Sequence, residues 1–305
     1  MIKSGSLSLL LLGLILLGAL SPSMAQRNIP KKNKKAKEEL SEDEKRRQGE
    51  YFFTEGEKYF LLEDYTKAVA AFQMSLEHDP NNDVVFFKMA EIHSATEQNQ
   101  LAQTSINNAI EINPDNKYYY LLAIDIYTDA NDLDKVASLY QTLIDNFPKG
   151  DQYLMSLAAV YLYQNKPEEA LKVYSTIEAK FGVNEQSTFQ KQKIYLKLND
   201  VEKAIAEGEK LIAAYPEAHR YTVLLCEILS SNGQEEEAIN RLEALLSENP
   251  EYAEARLVLG DIYWKQRQLD SFKTQMSLAF EAPDLNVNAK INAIMKYMAY
   301  IPNDQ

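Results

Sequence analysis

The chain contains very little cysteine, histidine, glycine or proline, and each shortage excludes a class of protein. Cys226 is the only cysteine, so a fold held together by internal disulfide bonds is excluded. Glycine and proline each occur 10 times among 305 residues, which argues against a β-rich or disordered chain and favours helices. The three histidines, His78, His93 and His219, have no metal-ligating partner at a useful spacing. We therefore expect no metal site.

The sequence also lacks the short motifs that mark common catalytic sites. It has no glycine-rich phosphate loop, no G-x-S-x-G and no H-E-x-x-H. His93 and Cys226 both fall in core columns of the pattern described below. We therefore expect a packed core histidine and a buried thiol rather than a ligand and a nucleophile. These features predict a non-enzymatic protein without a catalytic residue or a cofactor.

The charge of the chain is negative and unevenly distributed. The formal net charge is −13, from 45 acidic and 32 basic side chains. Six of the basic residues lie in segment 27–37, which contains no acid, so the remainder of the chain is more acidic than the total suggests. Such a body repels nucleic acid, and we expect no nucleic-acid partner. Contact with anionic lipid headgroups is expected only through the basic segment 27–37.

The first 25 residues have the features of a secretory signal peptide. Lys3 precedes an apolar run over residues 7–20, and Ser23-Met24-Ala25 provides a small-x-small cleavage site. The run is short for a membrane span, which needs about 20 residues. We therefore predict cleavage after Ala25 and an exported, periplasmic chain. The alternative is an inner-membrane anchor formed by an uncleaved N-terminal helix, because cations that follow an apolar run favour the cytoplasmic side.

Residues 26–48 are predicted to form a charged linker between this signal and the body of the chain. They are polar and carry no apolar period. Within them, Ser41 and Glu44 have the spacing of a capping box, in which each side chain accepts a hydrogen bond from the backbone amide of the other residue. A helix could therefore begin at Ser41, within the predicted linker.

The body of the chain repeats the same arrangement of residues every 34 positions. Residues 68–82 and 102–116 both begin with alanine, and both carry a bulky apolar residue four places on and a proline twelve places on. The same spacing holds without an insertion from residue 49 to residue 286. Seven units fit this register: 49–82, 83–116, 117–150, 151–184, 185–218, 219–252 and 253–286.

Individual columns of this register identify the type of repeat. Gly260 and Tyr263 match the first half of the pattern W-x2-L-G-x2-Y, and Ala68, Phe72 and Pro80 match the second half, A-x3-F followed by proline. The sequence therefore resembles the tetratricopeptide repeat family over about four-fifths of its length. The resemblance implies an all-α, right-handed superhelix of seven helix-turn-helix units. Residues 287–305 are predicted to be a capping helix or the first helix of a truncated eighth repeat.

Repeat five departs from the pattern at two of its core columns. Gln192 stands where a small residue is expected, and Gly208 stands where a bulky one is expected. Gly182, at the junction with repeat four, replaces the proline that ends most units. We therefore expect the superhelix to bend at this junction.

The resemblance also implies a binding surface, because the first helix of each unit lines the concave face in this family. Fifth and ninth positions of each unit share one face of that helix. In repeats one to three the fifth positions are apolar and the ninth positions are acidic, which suits a protein or peptide segment with apolar and basic residues. We therefore expect a non-enzymatic protein–protein interaction scaffold of the bacterial cell envelope. The alternative is an accessory or glycan-binding subunit of an envelope transport or sugar-uptake machinery. The predicted partner-binding residues are Phe53, Glu57, Phe87, Glu91, Tyr118, Leu121, Asp125 and Met155.

Overall fold

A computed structural model describes residues 40–283 and 285–298 of the chain. Within these residues the fold is all-α, with fifteen α-helices and no strand. The predicted signal peptide, most of the predicted linker and residues 299–305 lie outside the described residues. The helices are α1 Glu42–Leu61, α2 Tyr65–His78, α3 Asp83–Ala95, α4 Asn99–Ile112, α5 Lys117–Asp129, α6 Leu133–Asn146, α7 Leu154–Tyr163, α8 Pro167–Phe181, α9 Glu185–Lys197, α10 Val201–Ala214, α11 Arg220–Ser231, α12 Glu235–Glu248, α13 Ala253–Lys265, α14 Leu269–Glu281 and α15 Val287–Met298.

These helices pack in consecutive pairs, from α1 with α2 to α13 with α14. The second helix of each pair also contacts the first helix of the next pair. Each pair therefore covers the apolar side of its neighbour, and the core runs along the array instead of collecting at one centre. The predicted all-α solenoid of seven helix pairs is confirmed.

The turn between the two helices of each pair has the same backbone conformation in all seven repeats. The fifteenth residue of every unit adopts a left-handed conformation with φ between 55° and 81°. Glycine occupies this place only in repeat six, as Gly233, and asparagine occupies it three times. Asparagine tolerates this region better than most residues because its side chain can bond to the local backbone. The seven residues are Glu63, Glu97, Asn131, Asn165, Asn199, Gly233 and Arg267.

Small residues allow close contact between the two helices of a pair. An added Cβ at Gly56 of α1 would lie only 2.5 Å from the Phe72 ring of α2. An added Cβ at Gly260 of α13 would lie 2.6 Å from Met276 of α14. A large side chain on the second helix thus fills the space left by glycine on the first.

Helix α1 begins at Glu42, which is earlier than the repeat register suggests. The predicted capping box is present, because Ser41 Oγ accepts from the Glu44 amide at 3.3 Å and Glu44 accepts from the Ser41 amide at 3.0 Å. Lys45 pairs with Glu42 at 2.8 Å along the first turn. Residues 42–48, assigned to the linker from the sequence, therefore form the first turns of α1.

Helix α15 begins 34 residues after α13 and so continues the register of the first helices. Leu285 and Ala289 pack against a small core that includes Ala253 and Ala279. Lys290 Nζ donates to the Phe280 carbonyl at 2.7 Å. The helix is therefore attached to repeat seven in the place where an eighth repeat would start.

Candidate functional site

The fifth-position side chains of repeats one to four are half-buried, and they pack between helices. The Phe53 ring lies 6.0 Å from the Phe72 ring, measured between centroids. The Phe87 ring stacks on Tyr119 of the next repeat at 5.0 Å. Leu121 and Met155 also contact buried core residues. These side chains therefore join adjacent helices and present only part of their surface to solvent.

The ninth-position acids of repeats one and two share one lysine. Lys88 Nζ lies 3.0 Å from a carboxylate oxygen of Glu91 and 4.0 Å from one of Glu57. The same ammonium lies 4.7 Å from the centroid of the Phe60 ring. One positive charge held between two carboxylates reduces the negative potential here. We call the ninth-position acids Glu57, Glu91 and Asp125 the acidic row. This row is thus partly neutralised in repeats one and two.

The third acid of the row, Asp125, lies in a different electrostatic environment. Its side chain is accessible, but the surrounding protein and the negative charge of Asp129 raise its pKa above the ordinary value. Tyr118, at the start of the same helix, is 61% exposed, and Lys117 Nζ lies 5.2 Å from its ring centroid. Repeat three therefore offers an exposed aromatic ring and an uncompensated carboxylate on its first helix.

The row changes character after repeat three. Ala159 occupies the ninth position of repeat four and Lys193 that of repeat five. The acids return in repeats six and seven, where the Asp261 carboxylate pairs with Lys296 of α15 at 2.6 Å. Burial raises the pKa of Glu227, with Asp261 adding to the effect, although Lys296 and Lys265 oppose it. The first helices thus carry two acidic stretches separated by repeats four and five.

Two cavities open beside these helices, and neither was predicted from the sequence. One has a volume of about 620 Å³ and lies between α11, α13 and α15, with Glu227, Asp261 and Lys296 in its lining. The other has a volume of about 520 Å³ and lies between α5, α6 and α7, with Tyr140 and Ala159 in its lining. Both fall within the roughly 300–1,000 Å³ that is usual for ligand pockets.

Two of the candidates for catalytic or metal chemistry, His93 and Cys226, are buried, whereas His78 and His219 are partly exposed. His93 is enclosed in α3, and burial lowers its pKa below the ordinary value. Cys226 is fully buried in α11, and burial raises the pKa of its thiol to about 12. The core histidine and the buried thiol predicted from the sequence are confirmed. Across the part of the chain that the structure describes, no group of three or more histidine, cysteine, aspartate or glutamate side chains could hold a metal ion.

Comparison with protein families identifies the repeat. Models described as tetratricopeptide repeat match residues 85–116, residues 121–184 and 155–219, and residues 229–284. Together they span repeats two to seven in the register found from the sequence. The chain is a tetratricopeptide repeat protein. No curated protein sequence matches it.

Solved structures share this fold at low sequence identity. One chain in the structure of Naa15/Naa10 bound to HypK-THB is similar over 83% of this chain and 42% of its own length, with 13% identity and a TM-score of 0.51. A tetratricopeptide repeat protein from Parabacteroides merdae ATCC 43184 matches 83% of this chain and 99% of that chain, with 14% identity and a TM-score of 0.42. Yeast Tom70 matches 88% and 57% of the two chains, with 18% identity and a TM-score of 0.39.

Among residues 40–283 and 285–298, none of the helices has the length and apolar content needed to cross a bilayer. The predicted signal peptide and basic segment precede these residues. Export and lipid contact therefore stay predictions from the sequence.

Proposed function

We propose that the protein is a non-enzymatic scaffold of the bacterial cell envelope that binds a segment of a partner protein in its concave groove. The observation that carries this proposal is the row of side chains along the first helices. In repeats one to three it combines partly exposed apolar side chains with carboxylates, and the exposed Tyr118 lies beside it. Aromatic anchors surrounded by charges are typical of protein-binding surfaces.

The envelope assignment rests on the N-terminal sequence. Its apolar run and small-x-small site support export, and the chain would then begin at Gln26. Intact-mass measurement of the protein from envelope fractions tests this part. A mass that includes residues 1–25, with the repeats accessible only from the cytoplasm, would instead support the membrane-anchored alternative.

Charge reversal along the row tests groove binding. We expect the triple variant Glu57→Lys, Glu91→Lys, Asp125→Lys to lose a partner that the wild-type protein captures from cross-linked envelope extracts at low salt. Opposite charges accelerate encounter, so their reversal opposes it. Circular dichroism and a thermal melt of the variant establish that it remains folded.

A matched control reverses three acids at another face of the same repeats. Glu77, Glu111 and Asp145 occupy the twenty-ninth position of repeats one, two and three, and all three are exposed. Their conversion to lysine makes the same change in net charge on the second helices, and it should leave capture unchanged. Equal capture by both variants would show that the row is not the binding surface. Retention on polysaccharide without a protein partner would favour the glycan-binding alternative.

A further inference from the structure

The cavity between repeats three and four has a lining that differs from the rest of the groove. Its lining combines the end of α5 and the α5–α6 turn with side chains of α6 and α7, and most of these side chains are apolar. Tyr163, which is 77% exposed, also lines it. We name this space the repeat 3–4 cavity. Its lining residues are Thr128, Asn131, Leu133, Val136, Tyr140, Ser156, Ala159, Val160 and Tyr163.

Two small residues on α7 account for this space. Ser156 and Ala159 occupy the sixth and ninth positions of repeat four. At the ninth position each of the other six repeats carries a larger, charged side chain. At the sixth position repeats three and six carry leucine. Repeat four thus has a small side chain at both positions, and the partly buried Tyr140 of α6 lines the cavity together with them. The cavity is consequently a local feature of this repeat and is not shared by all units.

The cavity has an acidic edge. Thr128 lines it, and Asp125 and Asp129 lie three residues before and one residue after Thr128 on α5. The two acids are four positions apart and so face the same side of the helix. Within the described ranges, neither carboxylate has a lysine or arginine nitrogen within 4 Å, whereas Glu91 has Lys88 and Asp261 has Lys296. The negative charge beside the cavity is therefore available to an incoming cation.

We propose that the repeat 3–4 cavity binds a large apolar side chain of a partner peptide, with a lysine or arginine a few residues away on Asp125 and Asp129. This assignment rests on the proposed function and names the chemistry of the segment that the groove accepts. In an extended peptide, alternate side chains are about 6.6 Å apart on one face. An anchor and a cation separated by one or three residues therefore reach the cavity and its acidic edge together.

The charge and the cavity have separate roles in this arrangement. The apolar side chain is removed from water and so determines how long the complex lasts. The carboxylates increase the rate of encounter and disfavour acidic peptides. A peptide with the same anchor but with glutamate in place of the cation should therefore bind more weakly, and the difference should shrink as salt is added.

The test uses the full chain and a displayed library of random twelve-residue peptides. We expect the wild-type protein to enrich peptides that carry a large apolar residue with lysine or arginine two or four positions away. A synthetic copy of an enriched peptide, labelled with a fluorophore, is then titrated against variants by anisotropy. The filling variant Ser156→Leu, Ala159→Ile should bind it at least tenfold more weakly, because the added side chains occupy the cavity.

Three further variants complete the design. Ala159→Leu fills part of the cavity with a single change, and it serves if the double variant is unstable. Asp125→Asn with Asp129→Asn should weaken binding severalfold and abolish most of its salt dependence. Thr54→Leu adds an apolar side chain at the exposed sixth position of repeat one without changing the charge, and it should leave binding unchanged.

The outcomes separate this assignment from the function on which it rests. Enriched peptides that bind the filling variants as well as the wild type, or that lack basic residues, would overturn the assignment while leaving groove binding in place. Absence of any enriched peptide, together with no loss of partner in the charge-reversal experiment, would overturn both.

Discussion

Repeats one and five differ in which of their two helices carries the large residue at the helix–helix contact. In repeat one the first helix carries Gly56 and the second carries the large Phe72. In repeat five the first helix carries Gln192 and the second carries Gly208, and an added Cβ at Gly208 would lie 2.8 Å from the Gln192 amide nitrogen. The volume at the contact is kept, but the large side chain has moved to the other helix.

The exchange changes the chemistry of the core. Phe72 packs among apolar residues such as Ala68 and Val85. Gln192 instead brings an amide into the core, and its nitrogen donates to the Ala204 carbonyl at 3.1 Å. A buried amide needs such a partner, since an unpaired one costs about 1–3 kcal/mol. Repeat five thus depends on specific hydrogen bonds where repeat one depends on apolar area.

Charged residues extend this difference to the junction with repeat four. Lys191 is only 2% exposed, and its ammonium pairs with Glu207 at 2.6 Å and with Glu178 of α8. Lys210 pairs with the same two acids at 3.0 and 3.2 Å. Burial would raise the pKa of Glu178, but hydrogen bonds from the two lysines hold it below the ordinary value. Ion pairs therefore connect repeats four and five, with Lys191 and Glu207 buried, Glu178 partly buried and Lys210 at the surface.

The largest effect is expected from removing the buried lysine. Lys191→Ala should destabilise the protein by up to about 3–5 kcal/mol, because the buried Glu207 and the neighbouring Glu178 then keep only the partly exposed Lys210 as a cationic partner. Urea unfolding followed by circular dichroism measures the change, and we expect an early phase as repeats four and five open first. Lys193→Ala is the matched control on the same helix. Lys193 is exposed, so its loss should change the free energy of unfolding by no more than about 0.5 kcal/mol. Equal effects of the two substitutions would show that the buried charges do not hold this junction.

A second experiment reverses the exchange of large and small residues in repeat five. Repeat six shows the more usual arrangement, with fully buried Cys226 on its first helix and Leu242 on its second. Gly208→Leu alone should destabilise the protein by about 1–3 kcal/mol or more, because the new side chain overlaps Gln192 and the end of the Leu225 side chain of α11. Adding Gln192→Ala removes the overlap with Gln192 and leaves only the Leu225 methyl group to shift, so it should recover part of the loss.

A double-mutant cycle by urea unfolding measures this coupling. The double variant should be more stable than Gly208→Leu alone. If the two single effects simply add, the residues do not compensate for one another and the comparison with repeat one fails.

The sequence predicted the repeat units well because their periodicity is a property of the backbone. Each unit needs a small residue, an aromatic residue and a stop at fixed places, and these columns identify the helix pairs without knowledge of any contact. Gln192 and Gly208 were recognised separately as departures from the columns. Their compensation could not be predicted, because it is visible only once the two helices are seen to touch.

The binding surface was less predictable for the same reason. The fifth and ninth positions could be read from the register, but Lys88 lies at the sixth position of repeat two and neutralises acids of two different repeats. Ser156 and Ala159 are visibly small in the sequence. Whether space remains beside them depends on Tyr140 and Tyr163, which come from another helix and from the following turn of α7. The predicted partner-binding residues stay predictions until binding is measured.

The smallest effect is expected at the turns, where repeats one and five share a backbone conformation but differ in residue type. Glu63 and Asn199 occupy the same place, with φ of 57° and 59°. A left-handed conformation costs most L-residues about 1–2 kcal/mol, whereas asparagine adopts it more readily. Glycine avoids this cost, but it loses about 0.5–1 kcal/mol because its unfolded chain is more flexible.

The conformational strain of the turn and the entropic cost of glycine together predict different outcomes for a glycine at these two positions. Glu63→Gly should stabilise the protein by up to about 1 kcal/mol, because relief of the strained conformation exceeds the entropic cost of glycine. Asn199→Gly should leave stability unchanged or lower it slightly, because little strain is present to be relieved. Both substitutions lie in exposed turns, so differential scanning calorimetry or urea unfolding compares them without interference from core packing. A larger gain from Asn199→Gly than from Glu63→Gly would show that relief of the left-handed conformation does not determine how these turns respond.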